Sequence, residues 1–337
     1  MSDDLVVRRY ADADEEAVLA LLQLSLGGGP IGQRTADFFR WKHRDNPFGR
    51  SPAFVAEDAG RLVGFRTFMR WRWRAGARRW EAVRAVDTAT HPDHQGKGIF
   101  TRLTDGAVDG IRGEIDLIFN TPNDKSRPGY LKMGWTQVGA VPVALRPRRP
   151  LRFARGVRSA RAGASDAPIA CRLAPAADAF GSPEAVAGLL ERVADGDGRL
   201  ATDRSVAYLR WRYAEAPGLD YRHVAVHRGG ELVGLVFARP RRRGPLAELT
   251  VSEVLVARGD RATTRALLRE AGRGSGCDHL ATVTGLDPDL GGAFTRAGFV
   301  RLPSQGIVLT TRPLADVAPD PTALGSWAFS LGDLEVF

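Results

Sequence analysis

Cysteine is nearly absent from this chain: its 337 residues hold two, Cys171 and Cys277. They stand far apart with no metal-ligand spacing around them, so they read as small buried residues rather than a disulfide or a zinc site. Long apolar runs are missing as well. No stretch approaches the roughly eighteen residues of a membrane helix, and the opening Met-Ser-Asp-Asp-Leu-Val-Val-Arg-Arg has no apolar signal region. A cytoplasmic protein without a membrane span is therefore expected. Negative charge is in the minority, with 39 Asp and Glu against 48 Lys and Arg, a net charge of +9. That excess suits an acidic partner, a nucleic acid or an anionic cofactor, but no RNA-recognition, zinc-finger or helix-turn-helix pattern accompanies it, which argues against nucleic acid.

What is present is ordinary globular material. Hydrophobic residues make up 44% and charged residues 26%, enough apolar surface for sizeable cores, and the length exceeds what one core usually serves. Two domains are expected.

The most informative stretch is Thr88-Ala-Thr-His-Pro-Asp-His-Gln-Gly-Lys-Gly-Ile-Phe-Thr-Arg-Leu103. It reads as a strand that breaks at Pro92, turns through two glycines and opens a helix. Gly96 and Gly98 lack a Cβ, so an anion could approach their amides, and the first-turn N–H groups of the following helix have no intrahelical partner. Lys97 adds a cation. No Gly-Lys-Ser/Thr ending or three-glycine fingerprint is present, so neither a nucleotide P-loop nor a dinucleotide fold is indicated.

Gln95-Gly-Lys-Gly-Ile-Phe100 resembles the pyrophosphate loop of the GNAT superfamily of N-acetyltransferases, Gln/Arg-x-x-Gly-x-Gly/Ala, with Phe100 standing where a small residue is usual. Downstream, Asn123 followed by Tyr130-Leu-Lys-Met-Gly-Trp135 is similar to the second signature of that family, an Asn and then Tyr-x-x-x-Gly-Phe. The resemblance implies a mixed α/β fold, mostly antiparallel, in which the strands before the loop and after the helix are parallel and splay apart to admit pantetheine. It implies acetyl-CoA as co-substrate, no metal, backbone pairing of pantetheine near Thr88, Ala89 and Thr90, and a pyrophosphate seat at Gln95, Gly96, Lys97, Gly98 and Ile99, with Asn123 beside them.

Around this segment the periodicity predicts a strand at 5–10, helices from Ala17 to Leu26 and Thr35 to His43, a strand at Ala53–Glu57, and a long hairpin from Leu62 to Thr90. Trp71 and Trp73 alternate along one arm of it, as sheet packing or as the wall of a substrate pocket. A further helix runs from Gly98 to Arg112, and the apolar run at 116–120 reads as a central strand.

An offset of 170 residues aligns Arg34–Phe65 with Arg204–Leu235 without a gap, with identities at Arg34/Arg204, Arg40/Arg210, Trp41/Trp211, Pro47/Pro217, Gly60/Gly230, Leu62/Leu232, Val63/Val233 and Gly64/Gly234. Gly292-Ala-Phe-Thr-Arg-Ala-Gly-Phe299 likewise mimics the Tyr130 motif. The expected organisation is two tandem GNAT-like domains: a catalytic unit at 1–145, an Arg-rich linker at 146–168, and a degenerate unit at 169–337 that ends in a strand carrying Trp327, Phe329 and Leu331. The second copy replaces the glycine loop by Arg258-Gly-Asp-Arg-Ala262, and Asp260 would repel a pyrophosphate.

An amine attacks a thioester only when unprotonated, and the departing thiolate needs a proton or its equivalent. By resemblance Tyr130 is the general acid. Asp87, leading into the loop, is one candidate base. The terminal carboxylate of Phe337 is another, as in some tandem relatives. The histidines at 91 and 94 read as solvated loop residues, and those at 223 and 227 fall on a strand without metal-site spacing. The expected activity is acetyl transfer from acetyl-CoA to a primary amine of a small molecule or peptide in a ternary complex. A non-catalytic acyl-CoA-binding or regulatory protein is the alternative, and homo-oligomer formation stays open.

Overall fold

The computed structural model describes residues 5–27, 34–156, 164–165, 169–193, 198–284 and 288–335. The first half runs β1 (Val6–Arg9), α1 (Glu15–Leu26), α2 (Ala36–His43), β2 (Ala53–Asp58), β3 (Arg61–Ala75), β4 (Arg78–Thr90), α3 (Ile99–Asp109), β5 (Leu117–Asn120), α4 (Arg127–Lys132) and β6 (Thr136–Pro147). The second half repeats the order from β2 onward as β7 (Arg222–Arg228), β8 (Glu231–Arg243), β9 (Leu246–Val256), α5 (Arg261–Ser275), β10 (His279–Val283), α6 (Pro288–Arg296) and β11 (Val300–Pro313).

The strands join in one sheet, in the order β1-β2-β3-β4-β5-β11-β6-β10-β9-β8-β7. Two neighbouring pairs are parallel, β4 with β5 and β9 with β10; the others are antiparallel. Each half lends its last strand to the other. β11 lies against β5 on one side and β6 on the other, and β6 runs on to pair with β10. β6 runs past residue 145 through Arg146 and Pro147, which face Leu280 and His279. Both edges of β6 are thus bonded to strands of the second half.

Alternation along β3 sorts its side chains between cores. Phe68 faces the helix α3 with Val83, Leu103 and Ile118, whereas Met69, Trp71 and Trp73 face a second core built from both halves. Trp71 and Trp73 are 1% and 0% exposed, so they pack the junction and form no substrate wall. Trp41 and Trp211, the pair that the 170-residue offset matched, stack with ring centroids 4.9 Å apart. Trp41 Nε1 donates to the carbonyl of Trp211 at 2.8 Å, and Trp211 Nε1 donates to that of Trp41 at 2.8 Å. Reciprocal bonds of this kind are what a twofold relation between two like units produces.

The C-terminal segment differs from expectation. Trp327, Phe329 and Leu331 do not form a strand: Leu331–Leu334 is a short helix capped by Ser330, and Trp327 makes an isolated bridge to Leu200. Trp327 and Phe329 stack on each other at 4.9 Å and plug the shared core beside Trp73, so the apolar pattern there serves packing of two rings on one side, not strand pairing.

Candidate active site

β4 and β5 pair through Ala82–Leu117, Val83–Ile118 and Arg84–Phe119 and then separate. Beyond that point β4 stays bonded to β3, with Ala89 opposite Phe65 and Thr90 opposite Gly64, so its other edge faces open space. The result is a cleft of about 690 Å³, lined by Asp87, Thr88, Ala89, Thr90, Gln95, Gly96, Gly98, Ile99, Asn123 and Tyr130 among others. Lys97 is exposed beside it. Phe337 lies outside the described residues.

The glycines behave as their positions require. Gly96 and Gly98 have φ of +76° and +74°, and a Cβ built on either meets nothing within 4 Å. Gly98 is the N-cap of α3, which has no side-chain cap and no acidic residue in its first turn. The helix thus presents unpartnered N–H groups and the positive end of its dipole to an anion. The counterpart helix α5 is closed: Asp260 Oδ1 accepts from the N–H of Thr263 at 2.9 Å and Asp260 Oδ2 from its hydroxyl at 2.7 Å. A resident carboxylate occupies the place an external phosphate would take.

Tyr130 sits on α4, buried, against Trp135 at 5.2 Å and edge-on to Phe100 at 5.7 Å. Phe100, the departure from the small residue usual in the loop motif, is thus the ring that fixes the tyrosine. Tyr130 Oη accepts a hydrogen bond from Arg66 Nη1 at 2.7 Å, which leaves the phenolic proton for another acceptor. Asn123 Oδ1 accepts from the N–H groups of Lys125 and Ser126. Its side chain builds the turn into α4.

Asp87 stands at a bulge in β4 with φ of +44°, a left-handed conformation for a residue with a side chain. Three donors hold it there: Lys42 Nζ at 2.6 Å and His43 Nε2 at 3.0 Å on Oδ2, and Arg34 Nη1 at 3.2 Å on Oδ1. Burial would push its pKa up, but Lys42, His43 and Arg34 outweigh it and hold the carboxyl far below the usual range. Burial lowers the His43 pKa, so the neutral ring donates to Asp87 through Nε2, and Nδ1 accepts from Ser51 Oγ at 3.0 Å.

Sequence reasoning missed this cluster and its neighbour Arg84, although Arg34 was one of the repeat identities. Its counterpart Arg204 pairs with the buried Glu253 and Asp333. Arg84, fully buried on β4, donates to the carbonyls of Asp333 at 2.7 Å, Leu334 at 2.6 Å and Glu335 at 2.9 Å, and to Thr121 Oγ1 in the cleft wall at 3.0 Å. An arginine in the middle of the apolar run Ala82-Val83-Arg84-Ala85-Val86 was the available signal. It fastens the end of the described chain against the cleft.

A sheet that parts between two parallel strands over an uncapped helix N-terminus leaves an open, anion-accepting cleft. Residues 6–138 match the family model of the GNAT acetyltransferase domain. The first half of the chain is thus similar to a GNAT acetyltransferase domain. No protein of curated function matches it in sequence. Solved structures resemble it in fold: a probable N-acyltransferase from Enterococcus faecalis, at TM-score 0.63 and 12% identity over 92% of this chain and 73% of that one; Eis1 from Mycobacterium abscessus, at 0.56 and 19% over 92% and 73%; and a GCN5-related N-acetyltransferase from Kribbella flavida, at 0.57 and 17% over 93% and 71%.

Proposed function

We propose that this protein transfers an acetyl group from acetyl-CoA to a primary amine by direct attack in a ternary complex. The observation that carries the proposal is the open N-terminus of α3 behind two left-handed glycines, set where β4 and β5 diverge. The amides of 96–99 would receive the pyrophosphate, and the free edge of β4 at Thr88, Ala89 and Thr90 would pair with pantetheine. Bound there, acetyl-CoA supplies an activated acyl carbon and a thiolate leaving group.

Tyr130 is assigned the general-acid role, since its oxygen accepts from Arg66 and its proton is free to pass to the sulfur. Asp87, with both oxygens engaged by cations, is a weak proton acceptor. We assign it to ordering Arg34, Lys42 and His43 at the acceptor end of the cleft rather than to proton abstraction. For the Phe337 carboxylate as base, the support is that Arg84 holds the chain through Glu335 next to Thr121. We assign the second half to shaping the cleft, because Asp260 already fills the anion position of its own helix.

The test is thiol release from acetyl-CoA against polyamines, aminosugars, aminoglycosides and peptides. Binding of CoA with no release toward any amine would favour a non-catalytic acyl-CoA-binding protein. Tyr130→Phe should lower kcat by about two orders of magnitude, the lower end of what a positioned acid supplies, with acetyl-CoA affinity within twofold. Equal loss in both would remove the acid assignment. A short extension beyond Phe337 that leaves turnover intact would remove that carboxylate as base.

A further inference from the structure

Arg66, on β3, lies one layer behind the cleft wall formed by Thr88 and Tyr130, and it is completely buried. Its Nη1 donates to both hydroxyls, Tyr130 Oη at 2.7 Å and Thr88 Oγ1. Its Nε and Nη2 have no hydrogen-bond partner, and no described carboxylate pairs with it. The guanidinium instead rests on ring faces, 4.6 Å from Phe68, 5.3 Å from Tyr130 and 6.0 Å from Phe100.

A buried cation without a counter-anion is an expensive fixture. Removing a guanidinium from water costs far more than the two neutral hydrogen bonds and the ring contacts return, and an apolar side chain of similar volume would pack the same space at no such cost. The other buried arginines are satisfied differently: Arg212 by Glu335, Arg239 by the same carboxylate at 3.9 Å, and Arg84 by three carbonyls. Arg66 alone among these four has only hydroxyl oxygens as acceptors, and one of them is assigned to give up a proton.

We propose that Arg66 is a positioning residue of the transfer step that gains the missing half of its ion pair only as the reaction proceeds. By occupying a lone pair of Tyr130 Oη, it turns the phenolic proton toward the cleft, and it does the same for Thr88. As the amine nitrogen bonds to the acyl carbon and the carbon–sulfur electron pair moves to sulfur, Tyr130 gives that sulfur its proton. The phenolate oxygen then lies 2.7 Å from a cation that had no anion before. The surplus proton of the amine leaves through the base and, by way of solvent, restores the phenol. The charge therefore favours the transition state over the ground state, the condition for raising kcat rather than affinity. This inference rests on the acid assignment of Tyr130.

The test is a double-mutant cycle with acetyl-CoA and the best amine of the panel. Arg66→Gln keeps a donor for Tyr130 and removes the charge; Arg66→Lys keeps the charge. Arg66→Gln should lower kcat by 30-fold or more while the acetyl-CoA dissociation constant stays within twofold. It should also move the alkaline limb of kcat to higher pH by about one unit, the direction expected when a neighbouring cation is withdrawn. Arg66→Lys should keep the limb near its original position. In a Tyr130→Phe background, Arg66→Gln should change kcat less than threefold. A 30-fold loss that persists in the Tyr130→Phe background, or an unmoved alkaline limb, would reduce Arg66 to a structural role and overturn the proposal. Full kcat in Tyr130→Phe alone would instead refute the acid assignment. If Arg66→Gln does not fold, Arg66→Met, which also removes the charge, takes its place in the cycle: a kcat loss equal in both backgrounds, or no loss in either, overturns the inference, and a loss confined to the Tyr130 background supports it.

Discussion

Gly98 offers the sharpest test of the cofactor site, because strain and function separate there. At φ of +74° an alanine would adopt a left-handed conformation that costs about 1–2 kcal/mol, yet its methyl group would meet no protein atom within 4 Å. Gly98→Ala should therefore lower the unfolding free energy by no more than that strain, measured by urea titration. Ligand binding should suffer more. The methyl group projects into open space, and relief of strain would rotate the first N–H groups of α3 away from the anion. Losing one or two charge-assisted hydrogen bonds, at about 1.5–3 kcal/mol each, raises the CoA dissociation constant by roughly tenfold to a few times ten-thousandfold. Calorimetry with CoA and with pantetheine, which lacks the diphosphate, distinguishes the causes. CoA should weaken at least tenfold and pantetheine less than threefold. Equal weakening of both ligands, or unchanged CoA binding in a double Gly96→Ala/Gly98→Ala variant, would show that the loop is a simple turn and refute the reasoning.

Three further outcomes follow from the same contacts. Asp87→Asn strips the counter-charge from the buried Lys42 and should cost about 3–5 kcal/mol in chemical denaturation; Lys42→Met in the same chain should recover part of it, and no recovery would mean that the pair is not the source. Glu248 is held down to about 2: burial would raise it, but His279 and Arg243 outweigh burial. A carboxyl lowered on folding adds stability above its unfolded pKa that is lost as pH falls through the folded one. Between pH ~4.5 and ~2 the protein should thus lose up to about 3 kcal/mol at this site, and Glu248→Gln should flatten that part of the stability profile; an unchanged acid limb would count against it. The first half expressed alone, residues 1–147, should lack near-ultraviolet circular dichroism and aggregate, because β5 loses β11 and β6 loses both neighbours. A cooperative thermal transition from that fragment would show that β5 and β6 can pair directly.

Much of the first half was legible in the sequence, because local physics governs it. Periodicity placed α1, α2, the β3–β4 hairpin, α3 and β5 within a few residues of where they lie, and two glycines followed by a helix marked the left-handed turn and uncapped helix start, the proposed anion seat, through backbone properties that no distant contact can change. The offset that matched Trp41 with Trp211 located the junction of the halves, since like units meeting about a twofold axis must bring equivalent residues together. What only the tertiary structure decided is long-range pairing. Hydrogen bonds of a strand look the same whichever chain segment provides them, so the sequence could not show that β6 and β11 are exchanged, or that residues 327–331 plug a core instead of extending a sheet. The same limit hid the partners of buried charge: Asp87 with Lys42 and His43, Arg84 with the carbonyls of 333–335, and Arg66 with no carboxylate among the described residues. A charged residue within an apolar strand announces a desolvation cost, but what offsets it depends on elements far away in sequence, and that is fixed only when the chain has folded.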